Sequence, residues 1–210
     1  MVIPLAFFKF QRHISLGAPN KFRYPMEGKP TIIAYGTIDD LLGNVVQRLE
    51  EIIGQCGAAH AAGGGIYMND EKFQVSKEAL ATQARQLVTT SKLFVKSVTD
   101  DCNLSNGTKK PSQAEVKERL ENCVTVLEKM TEISEDVVHY TSTPLQTQNL
   151  LVRVRAVAHA FRLSVQAAAQ ILERKPKDDL ENLMAPLMER ATLLAADLSA
   201  LLRTLRVFAP

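Results

Sequence analysis

Apolar residues recur at intervals of three and four along nearly the whole stretch from Thr37 to Ala209, and the pattern breaks only at glycine, proline and polar clusters. That period marks amphipathic helices with one face turned inward. It predicts five of them, at about 37–56, 76–99, 112–141, 144–174 and 178–208. The first follows a Thr37-x-x-Asp40 capping pair and carries Ile38, Leu41, Leu42, Val45, Leu49, Ile52 and Ile53 on its apolar side. The second opens with Ser76 as N-cap and Glu78 in its first turn, and turns Leu80, Ala84, Leu87, Ser91, Phe94, Val95 and Val98 inward. After a break centred on Asn106-Gly107, the box Ser112-x-x-Glu115 starts the third, whose stripe runs through Val116, Leu120, Cys123, Leu127, Met130, Ile133 and Val137.

The sharpest local signal is Thr143-Pro144-Leu145-Gln146. Thr as N-cap, Pro at the first helical position and Gln three residues on each satisfy or remove an orphan amide. The two or three residues before it force the third and fourth helices into an antiparallel hairpin. Leu150, Val154, Val157, Phe161, Val165, Ala168 and Leu172 form the inner face of the fourth, with Phe161 at the centre. The fifth follows Asp178-Asp179 and carries Met184, Leu187, Ala191, Leu194, Leu198, Leu201, Leu205 and Phe208 inward, and Pro186 either kinks it or marks its true first turn. Residues 1–35 keep no period, hold Pro4, Pro19, Pro25 and Pro30, and read as a basic leader, extended or disordered. The fold class is therefore all-α: an antiparallel bundle of four to five long helices behind that leader, with 46% apolar residues to supply its core.

Composition narrows the chemistry. Cys56, Cys102 and Cys123 form no CxxC pair and leave an odd thiol, which points to a reducing, cytoplasmic setting. The opening MVIPLAFFKF is broken by Pro4 and Lys9 and predicts neither a secretory signal nor a membrane span. His13, His60, His139 and His159 fall in four separate segments without Cys or acid at ligand spacing, so no metal and no cofactor is expected. Cys123 lies on an apolar stripe, the place of an inert core thiol rather than of a nucleophile, and no base is at hand. Gly63-Gly64-Gly65 lacks the strand before and the Lys-Ser/Thr after that a phosphate loop needs, and reads as a connector. No enzymatic centre is expected, and three arginines without an aromatic platform do not make a nucleic-acid groove.

The fourth helix is acid-free while carrying Arg153, Arg155 and Arg162. Arg155, His159, Arg162 and Gln166 are spaced by four, three and four, which lines them along one face. That face is either a candidate for an acidic ligand, such as an acidic protein surface or an anionic lipid headgroup, or a row of cations answered by acids of neighbouring helices. Ser15, three residues after Arg12 in the leader, has the spacing of a basophilic kinase site.

Long helices of Ala, Leu, Val, Thr and Gln, as in ALATQARQLVTTSKLFVKSV, LLVRVRAVAHAFRLSVQAAAQIL and ERATLLAADLSALLRTLRVF, resemble the rod bundles of talin and the modules of vinculin, alpha-catenin and focal adhesion targeting domains. The resemblance spans about Thr37 to Phe208 and is one of helix length and texture. It implies a scaffold at adhesion sites or the cell cortex, partner helices docking between bundle helices, and binding to F-actin. Two readings of function follow: a protein–protein interaction module that receives an amphipathic helix or F-actin, and a bundle that binds anionic membrane surfaces.

Overall fold

The computed structural model describes residues 35–61, 70–102, 113–140, 144–174 and 179–207. They form five α-helices: α1 (Tyr35–Ala61), α2 (Asp70–Cys102), α3 (Gln113–Tyr140), α4 (Pro144–Leu172) and α5 (Leu180–Val207). The all-α bundle expected from the periodicity is what the chain adopts, with no strand among the described residues. The leader to residue 34, with Ser15, lies outside them.

Two helix starts differ from the sequence expectation. Helix α1 begins at Tyr35 and runs to Ala61, so Thr37 sits inside its first turn instead of capping it. It continues through Gly57 into Ala58, Ala59 and Ala61, because alanine is the strongest helix former and a single exposed glycine costs only about 1 kcal/mol. Helix α2 starts at Asp70, six positions before Ser76, which is therefore an interior residue and not the N-cap. Phe73 lies seven residues before Leu80 and joins the edge of the core, so the apolar stripe itself extends the helix backwards. Glu71 stands in its first turn, where a carboxylate meets the positive end of the helix.

The other ends follow the chemistry of their caps. Pro144 is the first residue of α4, and Arg174 donates from Nη1 to the Ile171 carbonyl to close the far end at 3.1 Å. Asp179 caps α5: its carboxylate accepts from the Glu181 amide at 3.0 Å and from Asn182 Nδ2 at 2.8 Å. Helix α5 passes through Pro186 and continues to Val207.

Two hairpins, α2/α3 and α4/α5, are the most closely knit pairs, and α1 lies mainly on α4 and more lightly on α3. Arginines tie these pairs at their edges. Arg119 donates from Nη1 to the Leu93 carbonyl across α3 and α2 at 3.0 Å, and Arg190 donates from Nη1 to the Leu163 carbonyl across α5 and α4 at 2.9 Å. At the centre Phe94 of α2 and Phe161 of α4, both fully buried, meet with ring centroids 6.2 Å apart and planes tilted by 58°. Phe161 is the central core residue its place on the stripe predicts. The inner hydroxyls of Ser97, Thr131, Ser134 and Ser164 donate to carbonyls of their own helices at 2.7–3.0 Å, so they are satisfied without crossing between helices.

Candidate functional site

Helix α4 touches all four other described helices, which explains why its buried surface spreads well beyond one stripe to Leu151, Ala158, Ala160, Ala167 and Ile171. Its basic face looks toward α1. Arg162 grips Asp39 of α1 with both prongs, Nε to Oδ1 at 2.8 Å and Nη2 to Oδ2 at 2.7 Å. Gln166 Nε2 adds a third bond to Asp39 Oδ1 at 2.8 Å. The Arg162 guanidinium holds the Asp39 carboxyl below its ordinary value of 3.8; partial desolvation opposes this and Gln166 reinforces it. Asp39 in turn raises the Arg162 pKa. A methyl group on Gly43 would stand 3.3 Å from Arg162 Nη1 and 3.4 Å from Cζ, so the missing side chain gives the guanidinium its passage over α1.

Seven residues earlier on α4, Arg155 Nη1 lies 3.6 Å from Glu50 Oε1, and His159 sits exposed between the two contacts. As α1 advances from Asp39 to Glu50, its partners on α4 recede from Arg162 to Arg155, so the two helices run antiparallel. Arg48 of α1 completes the fastening by donating from Nε to Glu135 Oε1 of α3 at 2.6 Å. The stripe offered by the sequence to an outside acidic ligand is thus answered from within the chain at Arg155, Arg162 and Gln166. Arg153 is separate: with Arg203, Asn149 and Gln146 it borders a hollow of about 750 Å³ between the start of α4 and the end of α5.

A different surface stands open on the side of α2 and α5. A groove of about 400 Å³ runs between them, with Leu194 and Leu198 at its base and Val88, Val95, Met188 and Ala195 along its walls. Val88 is 41% and Met188 52% exposed, high values for apolar side chains beside the core. Lys92 and Lys96, one helical turn apart, edge the groove on α2, and none of its described lining residues is acidic. Sequence reasoning passed this surface by. The signal it carries is a set of doublets, Leu87-Val88, Phe94-Val95, Leu187-Met188 and Leu194-Ala195, which widen the apolar stripe of each helix to one side.

The described thiols are not poised for chemistry. Burial pushes the Cys123 thiol up to about 11, only partly opposed by a hydrogen bond with Thr90, and burial also raises Cys56. No cluster of three or more His, Cys, Asp or Glu with metal-holding geometry occurs among the described residues. Among them no helix is long and apolar enough to cross a membrane. The chain matches no family model and no curated protein.

Proposed function

We propose that this protein is a non-enzymatic, intracellular protein–protein interaction module, of the kind found in adhesion or cytoskeletal scaffolds, and that it docks an amphipathic helix of a partner in the α2/α5 groove. The observation that carries this reading is the groove itself: an apolar trough lined by Val88, Val95, Met188 and Ala195 over the buried Leu194 and Leu198. An amphipathic helix buries its apolar face in such a trough and leaves its polar face to water. The companion reading, contact with an anionic membrane surface or with F-actin at the cortex, draws on Arg153 and Arg203, whose side chains edge the α4/α5 hollow.

A photoreactive residue at position 188 of the full chain tests the proposal in cell lysate, with the same residue at exposed Gln47 of α1 as reference. Adducts specific to position 188 that map to amphipathic segments and disappear with Val88→Asp are the expected outcome. Equal labelling from both positions would overturn the groove reading. Co-sedimentation with F-actin and with vesicles containing phosphatidylserine, repeated for Arg153→Gln/Arg203→Gln, measures the companion reading.

A further inference from the structure

We infer that the α2/α5 groove selects an acidic amphipathic helix, one whose carboxylates flank its apolar stripe on the edge that meets Lys92 and Lys96. This rests on the reading of the groove as a helix-docking site and adds the chemistry of the occupant.

The molecule contains its own example of such a docking. Helix α1 is laid over the α3/α4 side with Ile38, Leu42, Val45, Leu49 and Ile52 buried. Its acids Asp39 and Glu50, flanking that stripe, meet Arg162 and Arg155 on the receiving helix. The receiver thus combines an apolar bed with cations along one edge, and the guest combines an apolar stripe with acids beside it. The α2/α5 side repeats the receiver's half: apolar walls, a base of Leu194 and Leu198, and two lysines along one edge. Arg85, seven residues before Lys92, continues that cationic edge along α2 by helical periodicity, and it too is exposed.

Charge decides which of many amphipathic helices fits. A guest with lysines on that edge would face like charges at Lys92 and Lys96, and no described acid in the groove lining relieves them. A guest with glutamates one turn apart matches their spacing, and at physiological salt such exposed pairs act over about 8 Å, so the preference fades as ionic strength rises.

Three synthetic helices of equal length and identical leucine stripe, flanked by Glu, Gln or Lys, are titrated into the full-length protein by fluorescence anisotropy. The expected order is Glu tighter than Gln tighter than Lys. In Lys92→Glu/Lys96→Glu that order reverses, with the Glu peptide weakened on the order of tenfold. Val88→Asp should abolish binding of all three, while unchanged helicity and melting show that both variants are folded. Equal affinity of the three peptides, with loss on Val88→Asp, overturns the charge selection and leaves the docking groove standing. Binding that Val88→Asp does not touch, or no binding at all, overturns both. A concentration-dependent dimer that Val88→Asp dissolves would make a second copy of this chain the occupant and would equally overturn the acidic partner.

Discussion

The two sides of this bundle where one hairpin meets the other are built differently. Along α3 and α4 a fifth helix lies across the join, its apolar stripe buried and its edges fastened by Arg162 to Asp39, Arg155 to Glu50 and Arg48 to Glu135. Along α2 and α5 nothing among the described residues covers the join, and Val88 and Met188 face outward over a trough. The contrast teaches what closes such a join: burial of the guest's apolar stripe supplies the free energy, and the ion pairs at its edges choose the guest and its direction. Each fully buried leucine contributes roughly 1.5–3 kcal/mol, whereas half-exposed ion pairs contribute about 1 kcal/mol or less.

Removing the shared centre should have the largest effect, because Phe161 supports both joins at once. Phe161→Ala is expected to lose roughly 3–5 kcal/mol in urea unfolding, since its fully buried ring meets Phe94 and leaves a cavity. Next, the two joins separate: Leu49→Ala on α1 should cost roughly 2–5 kcal/mol, whereas Val88→Ala on the open side should stay within about 0.5 kcal/mol. Comparable losses at the two sites would erase the distinction between a covered and an uncovered join.

Acid titrates the fastening of the covered join. The Asp39 carboxyl has a lowered pKa in the folded state, so the unfolded state binds its proton more readily and the stabilisation is complete only above the ordinary value of 3.8. It is lost as pH falls through the lowered folded value. Chemical denaturation from pH 6 downward should therefore show a steeper decline for the wild type than for Asp39→Asn. Since Asp39 and Arg162 are each 30% exposed, solvent screening holds the difference to about 1 kcal/mol or less. Parallel profiles would remove Asp39 from the list of pH-sensitive contacts.

The smallest effect is the most local. Gly43→Ala gains helix propensity of roughly 1 kcal/mol but crowds Arg162, so the net change in the wild type should be near zero. With Arg162→Ala in place the same substitution should stabilise, and a double-mutant cycle on thermal melts reads the coupling directly. A simple additive gain would show that the guanidinium does not need the space above Gly43.

Much of the fold was legible because helical periodicity is a local property. The inward faces of α3 and α4, the Pro144 start and the central place of Phe161 all follow from residues within a few turns of one another. The early start of α2 was legible too, had Phe73 been counted with Leu80, but the Ser76 cap signal drew the boundary inward. The closure of the basic face was not legible in detail. An acid-free helix shows only that any acid answering its cations must come from another segment, and Asp39 lies 123 residues from Arg162 with nothing local to distinguish it from Asp40 beside it. The groove escaped for a related reason: Val88 and Met188 fall outside the predicted inward stripes and gain meaning only when two helices bring their doublets together.

The arginine bonds between neighbouring helices carry a mechanical consequence. Because Ser97, Thr131, Ser134 and Ser164 bond within their own helices, sliding of one helix along another meets mainly side-chain shape in the interior, with Thr90 to Cys123 as a bond from α2 to α3, and the edges decide the rest. Arg119 on the Leu93 carbonyl and Arg190 on the Leu163 carbonyl pin each hairpin against shear, and Arg162 and Arg48 pin α1 to α4 and α3. No described arginine bridges α2 to α5 in this way. A load applied along the helix axes is therefore expected to be relieved first along the α2/α5 join, where no described arginine bond resists shear.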